Sequence, residues 1–215
     1  MLHQLIECIN EEALLGPTIS GFRIGYSTTS VLLGIRDALI RASSRGKVTL
    51  MVCADYSKAL DTVQFKSVLT KMHNLGFFKE FLLWIIDYLT DRRRMVQIDD
   101  RQSDMATVEF GVPQGSILGP VIFNLYVADL QKELQCDCYQ YADDTTFYVH
   151  SKPGDLNSSA AQINKTIASL KNYSNRCNLA LNPTKTNWMI ISTPQMSRYH
   201  SLEERDLPIV CGGSG

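Results

Sequence analysis

Two adjacent carboxylates, Asp143 and Asp144, lie between two runs of residues that favour β-strands. Both flanking runs, 138–142 and 145–149, are rich in aromatic or β-branched side chains. This pattern predicts two strands joined by a tight turn, with the acids at its tip. Neighbouring like charges repel unless a cation lies between them, and hard divalent cations prefer oxygen ligands. The stretch therefore predicts a β-hairpin whose tip can hold a divalent metal ion.

An Asp-Asp pair is also ordinary turn chemistry, and the chain contains a second one, Asp99-Asp100. Polar residues 101–103 follow that second pair, which predicts a solvated turn without a ligand. The apolar flanks of Asp143 and Asp144, together with the partners described below, favour a functional role for the first pair.

Composition bounds the class of protein. The chain has 215 residues, enough for one large domain or two small ones, with 45% apolar and 20% charged residues, as in soluble globular proteins. A net charge of −1 provides no global basic field, so a nucleic-acid partner needs a local basic patch or a metal. The six cysteines lack paired metal-ligand spacing, which favours a reduced intracellular compartment, nuclear or cytoplasmic. The longest apolar runs fall short of about 18 residues, so no membrane span is predicted.

The order of elements predicts an α+β fold with an antiparallel sheet, because no βαβ glycine fingerprint is present. The apolar run 48–53 predicts a buried strand that places Asp55 at its carboxyl end. A strand at 95–98 is expected to pair with 107–110 across the Asp99-Asp100 turn. Helical spacing is found near 2–13, 31–39, 65–75, 78–89, 118–130 and 156–170, and a last strand is predicted at 188–191.

The predicted hairpin tip and Asp55 form a constellation, although Asp55 and Asp143 are 88 residues apart. If their strands are neighbours, three carboxylates converge at one edge of the sheet. Such a group would repel strongly unless it holds divalent cations. Two Mg²⁺ ions about 3.5–4 Å apart are the usual device for in-line phosphoryl displacement.

Five stretches resemble the reverse transcriptases of non-LTR (LINE-like) retrotransposons. The resemblance implies a polymerase palm, an antiparallel sheet flanked by helices, and RNA-directed DNA polymerase activity. A lone YADD is a weak signal, but five motifs in the family's order, over about residues 14–192, are a strong one. The stretches are GFRIGYSTT at 21–29, ADYSKALDTV at 54–63, GVPQGSILGP at 111–120, YADD at 141–144 and LNPTKT at 181–186.

The resemblance implies specific metal ligands. Asp55, Asp143 and Asp144 would bind two Mg²⁺ ions, with Mn²⁺ as an alternative, and the backbone carbonyl of Tyr56 would add an oxygen. Lys185 would lie near the leaving pyrophosphate as electrostatic partner or proton donor. The competing interpretation of Lys185 is a solvated turn lysine.

A second group of residues would bind the incoming nucleotide, again by resemblance. Gln114 and Gly115 would pack on the nucleotide, and Lys58 would reach the triphosphate unless it is an ordinary surface lysine. Leu60 stands where the family usually has Phe, whose ring excludes a ribose 2′-hydroxyl. We therefore expect weaker discrimination against ribonucleotides. Asp61 is expected to cap or pair locally.

Basic residues at two places are candidates for contacts with template or primer phosphates. They are Arg23 and the triplet Arg92, Arg93 and Arg94, for which a solvated charged face is the alternative. Tyr26 stands where the family usually has a basic residue, which removes one such contact. The partners implied are an RNA or DNA template, a DNA primer and dNTPs, without a membrane; the sequence does not predict an oligomeric state.

The predicted organisation is partial fingers at 1–47, a palm at 48–192 with a fingers-side hairpin at about 91–110, and a flexible tail at 193–215. The thumb is expected to be absent, and both ends resemble cuts through a longer protein, so metal binding and synthesis by the chain alone are expected to be weak. Three alternatives remain. They are a group II intron or other bacterial-type reverse transcriptase, a non-catalytic nucleic-acid-binding or interaction domain domesticated from such an element, and a structural domain without a ligand.

Overall fold

The computed structural model describes residues 2–202 and 205–211. Its centre is an antiparallel sheet with the strand order β10-β1-β8-β7, so that β1 is hydrogen-bonded on both sides. The predicted α+β class with an antiparallel sheet is confirmed. The strands of this sheet are β1 (Val48–Ala54), β7 (Asp137–Tyr141), β8 (Asp144–Ser151) and β10 (Asn187–Ile191).

The two faces of the sheet pack against different layers because side chains alternate along a strand. From β1, Leu50 and Val52 point into the main hydrophobic core, where both are fully buried. Met51 belongs to a smaller cluster on the opposite face, which is covered by the helix at Thr28–Ser44. Burial on both faces explains why the β1 sequence is a continuous apolar run.

The helices follow the apolar periodicity of the sequence. The helix at Thr28–Ser44 begins with a capping box, in which the side chains of Ser27 and Ser30 each accept a hydrogen bond from the other's backbone N–H. No helix in the described part of the chain is long and apolar enough to cross a bilayer. The helices are α1 (Leu2–Glu11), α2 (Thr28–Ser44), α3 (Phe65–Asn74), α4 (Lys79–Leu89), α5 (Gly119–Val127), α6 (Leu130–Glu133), α7 (Leu156–Arg176) and α8 (Pro194–His200), with 3₁₀ turns at Ala59–Asp61 and Pro153–Asp155.

Short strand pairs lie outside the main sheet. The turn predicted at Asp99-Asp100 is present, but the predicted pairing of 95–98 with 107–110 is wrong. The tight turn joins Ile98 directly to Arg101, so the nearest residues along the chain pair first. The pairs are β3 (Arg93–Arg94) with β6 (Ala106–Thr107), β4 (Gln97–Ile98) with β5 (Arg101–Gln102), and β2 (Tyr56–Ser57) with β9 (Ala180–Leu181).

A polar cluster centred on Lys71 joins α3, the α5–α6 junction and α7 beneath the sheet. The Lys71 ammonium donates to Asp129 Oδ1 at 2.7 Å, to the Tyr126 carbonyl at 2.6 Å and to the Tyr173 hydroxyl at 2.8 Å. Burial raises the pKa of Tyr173 far above its ordinary value, so its hydroxyl stays protonated and donates to Asp129. The Tyr126 hydroxyl donates to the Cys177 carbonyl at 2.6 Å. These bonds fix the helix layer that supports the sheet.

The segment after β10 differs from the predicted flexible tail. It forms α8, and both Leu202 and Leu207 are buried in the main core. Asn164 of α7 holds the following backbone at two points, donating to the Pro208 carbonyl at 2.6 Å and accepting from the Val210 N–H at 3.1 Å. Apolar burial and this amide clamp order a stretch whose composition alone indicates a loop. The remainder of the predicted tail, 212–215, lies outside the described residues.

Candidate active site

The hairpin formed by β7 and β8 ends in the predicted tight turn. Tyr141 pairs with Asp144, which leaves Ala142 and Asp143 as the two turn residues. Ala142 has a φ of +56°, a left-handed conformation that costs a residue with a Cβ about 1–2 kcal/mol. The tertiary contacts described below hold this backbone in place.

The register of the sheet brings Asp55 beside Asp144. Ala54 pairs with Thr145, so the next position past the end of β1, Asp55, lies opposite Asp144. On the other side of β1, Cys53 pairs with Asn187, and the same register continued by two residues places Lys185 opposite Asp55. The Lys185 ammonium lies 3.5 Å from Asp55 Oδ2.

The Asp55 carboxylate is the buried member of this group. Its side chain is 20% exposed, whereas that of Lys185 is 68% exposed. Asp55 Oδ2 is enclosed and has no hydrogen-bond partner among residues 2–202 and 205–211, and the lysine ammonium lies 3.5 Å from it. A buried carboxylate oxygen without a hydrogen bond is costly, and a cation beside it would remove that cost.

Like charges crowd Asp144. Burial is the largest effect that raises its pKa above the ordinary range, and the negative charges of Asp143 and Asp55 raise it further. Lys185 acts in the opposite direction but does not cancel these effects. A carboxylate whose ionised form is disfavoured by neighbouring carboxylates is typical of a cation site.

The donor set fits a hard divalent ion, although residues 2–202 and 205–211 contain no group of three Asp, Glu, His or Cys side chains already arranged around one point. Asp55 and Asp144 are adjacent, and Asp143 lies at the tip of the turn. The predicted convergence of all three carboxylates on metal ions therefore stays a prediction.

The LNPTKT stretch forms the turn that carries Lys185. The side-chain oxygen of Asn182 accepts from the Thr184 N–H at 3.1 Å and from its hydroxyl at 2.7 Å, which closes an Asx-type turn. The Asn182 N–H donates to the Asp55 carbonyl at 2.8 Å. The sequence folds this way because asparagine bonds readily to the backbone two residues ahead, and the result ties the lysine turn to the strand end.

The residues after Asp55 leave the sheet in a short turn. Tyr56 is 4% exposed, and its hydroxyl accepts from Ser174 at 3.2 Å, while burial raises its pKa to about 12. Lys58 has a φ of +51° and an exposed side chain. Leu60 packs partly against the main core. The turn thus anchors the aromatic ring inside and leaves the lysine accessible.

The GVPQGS loop lies directly against this turn. Gly111 has a φ of +83°, and a Cβ there would lie 2.7 Å from the Asp61 carbonyl, so only glycine fits. The Val112 N–H donates to the Leu60 carbonyl at 2.9 Å. Gln114 donates to Asp61 Oδ1 at 2.7 Å, so Asp61 pairs across the loop and not locally as predicted.

Gly115 faces open space. It has a φ of +75°, and a Cβ built there would have no neighbour within 4 Å. The left-handed backbone explains why the residue at position 115 is glycine. The surface beside it is open to a ligand. Lys58 and Gln114 line the same cavity, whereas Leu60 and Gly115 are not part of its wall.

The predicted nucleic-acid arginines divide into two kinds. Arg23 donates to the Gly16 and Ile19 carbonyls, both at 2.9 Å, and its guanidinium lies over the Tyr26 ring. Arg92 donates to the Leu89 and Gly111 carbonyls, and burial lowers its pKa. Both arginine side chains donate to backbone carbonyls of this chain, so they stabilise the loops that carry those carbonyls.

Arg93 and Arg94 are exposed on β3 and remain accessible. With Lys58 and Gln114 they line a cavity of about 880 Å³. The contacts with template or primer phosphates predicted for Arg93 and Arg94 stay a prediction.

Gly21 and Asn124 position the hairpin tip, and the sequence analysis predicted no role for either residue. The backbone of Thr18–Gly21 runs beside β7, with Ser20 N–H donating to the Gln140 carbonyl and Gln140 N–H to the Thr18 carbonyl. A Cβ on Gly21 would lie 2.1 Å from the Ala142 nitrogen. Asn124, which is 1% exposed, donates to the Gly21 carbonyl at 2.6 Å. The signal available in the sequence was an isolated amide inside the apolar helix α5.

The antiparallel sheet carries an acid pair at the end of its central strands. This arrangement defines a protein of the polymerase-palm class. The chain belongs to the reverse transcriptase family: residues 1–203 match the family model described as "Reverse transcriptase (RNA-dependent DNA polymerase)".

Curated relatives are mobile-element proteins of Drosophila melanogaster. The chain is 26% identical over 193 residues to a probable RNA-directed DNA polymerase from transposon BS, and 23% identical over 193 residues to the polymerase from mobile element jockey. Each match covers 86% of this chain and 21% of the relative. The chain thus spans about a fifth of the length of these relatives.

Solved structures with the same fold include two telomerases. Apo telomerase from Candida tropicalis, truncated from its C-terminal domain, has a TM-score of 0.67 at 15% identity over 89% of this chain and 40% of that chain. Telomerase from Candida albicans, in complex with a TWJ fragment of telomeric RNA, has a TM-score of 0.65 at 11% identity over 87% of this chain and 33% of that chain. At these identities the likeness establishes the fold.

Proposed function

We propose that the chain is the catalytic core of an RNA-directed DNA polymerase of the non-LTR retrotransposon type. It would extend the 3′-hydroxyl of a DNA primer on an RNA or DNA template with dNTPs. The observation that carries the proposal is the position of Asp55 beside Asp144, with Lys185 on the other side of the same strand end. Phosphoryl transfer needs this combination of metal-binding carboxylates and a cation for the leaving group.

Asp55, Asp143 and Asp144 would hold two Mg²⁺ ions, or Mn²⁺, with the Tyr56 carbonyl as a further oxygen donor. Such ions lower the pKa of an attacking hydroxyl and neutralise charge on transferring phosphates. The unpartnered Asp55 Oδ2 and the raised pKa of Asp144 support this assignment. The lack of a three-ligand arrangement in the described residues supports weak metal binding before substrate arrives, and hence weak synthesis by this chain alone.

Other side chains would orient the substrate. The Lys185 ammonium, exposed yet only 3.5 Å from Asp55, would neutralise or protonate the departing pyrophosphate. Gln114, held by Asp61, would pack on the nucleotide beside the open Gly115, and Lys58 would bind the triphosphate. Arg93 and Arg94 would contact template or primer phosphates across the basic cavity. Leu60 would form the wall beside the sugar.

Primer extension on an RNA template with Mg²⁺ tests the proposal. The Asp143→Asn variant should lose extension, whereas Asp100→Asn, in the exposed second Asp-Asp turn, should retain it. Binding of Mn²⁺, followed by electron paramagnetic resonance, should weaken in Asp143→Asn and stay unchanged in Asp100→Asn. Equal Mn²⁺ binding by both variants and the unaltered chain would favour a non-catalytic nucleic-acid-binding domain.

A further inference from the structure

A cavity of about 320 Å³ lies on the α2 side of the sheet, at the end of β1 away from the carboxylates. Its wall contains Arg41 from the last turn of α2, the C-cap residue Arg45, Lys47 from the following loop, and Tyr148 and His150 from β8. These residues have no part in the site proposed above. Their position is fixed by the pairing of Thr49 with His150 and of Met51 with Tyr148.

The charge of this cavity is positive. Arg41, Arg45 and Lys47 make no side-chain hydrogen bond or ion pair with any residue of the described ranges, and Asp137 is the one carboxylate in the wall. Burial lowers the pKa of His150, and the charges of Lys47 and Arg41 lower it further against the opposing effect of Asp137. The imidazole is therefore neutral at pH 7, and three cations face one anion.

The floor of the cavity is aromatic and contains an unused donor. Tyr148 is 4% exposed, and its ring stacks on Tyr139 at 6.5 Å and meets the His150 ring at 5.1 Å. Its hydroxyl makes no hydrogen bond with the part of the chain that is described. Burial is the main cause that raises the pKa of Tyr148, so the phenol stays protonated as a donor. Although the Tyr148 ring is buried, its hydroxyl is accessible at the cavity wall, and an unpaired donor beside cations fits an anionic ligand.

We propose that this cavity binds a backbone phosphate of a nucleic-acid strand, with Tyr148 donating to the phosphate and Arg41, Arg45 and Lys47 neutralising it. Seven steps of about 3.3 Å along the strand separate Val48 from Asp55, so the site lies roughly 23 Å from the carboxylates. It cannot reach the reacting phosphates. That distance corresponds to about seven nucleotide steps of 3.4 Å along a strand, so one bound strand can contact both places.

Free inorganic phosphate has the same chemistry as a backbone phosphate. The spread of three unpaired cations around an open rim, with tyrosine rings below, favours the polymer because a strand presents successive charges and stackable bases. This inference rests on the proposed function for the identity of the strand, but its test does not depend on synthesis.

The experiment compares the full chain with Arg41→Gln/Arg45→Gln and with Tyr148→Phe. Arg36→Gln is the control for loss of an arginine charge elsewhere on α2, because this residue pairs with Asp37 outside the cavity. Binding of a 16-nucleotide single-stranded DNA is measured by fluorescence anisotropy as a function of salt, and binding of inorganic phosphate by calorimetry. Thermal melts followed by circular dichroism check that each variant is folded.

The double variant should reduce the slope of log affinity against log salt by about 0.7, which is the value for one phosphate contact with a single strand. Tyr148→Phe should weaken DNA binding about tenfold at every salt concentration, because a hydrogen bond to a charged group is lost. Arg36→Gln should change neither quantity.

DNA binding that is unaltered in both variants would overturn the proposal, even if phosphate binding falls. The outcome is separable from polymerase activity, because DNA binding is measured without dNTPs and without primer extension. If the unaltered chain extends no primer but the double variant still loses DNA affinity, the proposed function fails and the phosphate site stands.

Discussion

Gly21 lies against the turn of the β7–β8 hairpin so closely that a Cβ on it would be 2.1 Å from the nitrogen of Ala142. The contact joins a loop near the start of the chain to the turn that carries Asp143. It leaves no room for a side chain, and the partner atom is backbone, which cannot rotate away. The predictions that follow begin with this contact.

Gly21→Ala should displace the hairpin tip. Overpacking of this kind costs about 1–3 kcal/mol, and a shift of about 1 Å at a reacting centre can cost about a hundredfold in rate. We expect the turnover rate of primer extension to fall by about that factor and the affinity for Mn²⁺, measured by paramagnetic resonance, to fall with it. Gly154→Ala is the control, because a Cβ there meets nothing within 4 Å. Normal Mn²⁺ affinity in folded Gly21→Ala would contradict the prediction.

Asn124→Ala should destabilise the protein and loosen the same turn. The change removes the 2.6 Å hydrogen bond to the Gly21 carbonyl and leaves that carbonyl buried without a partner. The expected loss is about 1–3 kcal/mol in the free energy of unfolding, measured by urea denaturation. Asn157→Ala, at an exposed position of α7, should change it by less than about 0.5 kcal/mol. Equal effects of the two substitutions would show that the amide has no positioning role.

Asp144→Asn should stabilise the metal-free protein at neutral pH. Because the pKa of Asp144 is raised in the folded state, the folded protein holds this proton more tightly than the unfolded chain does. Ionisation therefore lowers stability as the pH rises through the raised pKa, and the amide removes that loss. The gain should be below about 1 kcal/mol after solvent screening.

Melting temperatures of Asp144→Asn, measured across pH, test whether ionisation of Asp144 lowers the stability of the protein. The advantage of the variant should disappear in acid, where Asp144 is protonated in both states, and Mg²⁺ should stabilise the unaltered chain more than the variant. Asp100→Asn should show neither behaviour. A variant that melts below the unaltered chain at pH 7 without metal would disprove the repulsion argument.

Leu60→Phe should improve discrimination against ribonucleotides. A planar ring covers more of the sugar site than a branched aliphatic chain, and a steric difference of this size corresponds to roughly tenfold in relative specificity. The measurement is the ratio of kcat/KM for dNTP and rNTP incorporation. Leu83→Phe, at an exposed position of α4, is the control. An unaltered ratio in Leu60→Phe would refute the hypothesis.

Lys71→Met should destabilise the helix layer without touching the site. It leaves the Asp129 carboxylate and the Tyr126 carbonyl without their cation. Removing one partner of a buried pair costs about 3–5 kcal/mol, and since Asp129 is 47% exposed we expect about 2 kcal/mol. Urea denaturation of this variant and of Lys79→Met, at an exposed position, measures the difference. Similar midpoints for both would contradict a structural role for the cluster.

The sequence was sufficient where local chemistry decides the structure. The apolar run of β1, the hydroxyls before α2 and the Asp-Asp turn between aromatic residues each specify one element. Asp55 could be placed at a strand end, because a buried strand in the sequence is followed directly by an acid. The adjacency of Asp55 and Asp144 also depends on the order of strands in the sheet, which the family motifs supplied.

The remaining features depend on contacts between distant segments. Nothing near Arg92 in the sequence indicates that its guanidinium would donate a hydrogen bond to the Gly111 carbonyl. A run of arginines by itself predicts a solvent-exposed surface. The same holds for Gln114, whose acceptor Asp61 lies on another loop. The short strands β3 to β6 are exposed on both faces, so no apolar alternation marks their register.

The β4–β5 pair described above projects its side chains into solvent, and Asp99 and Asp100 at its tip contact neither the main core nor the carboxylate group. An insertion there should leave the pairing of β1 with β8 intact, because no strand of the main sheet depends on that turn. A fluorescent reporter peptide placed between these two aspartates would therefore label the chain without altering the register of the main sheet.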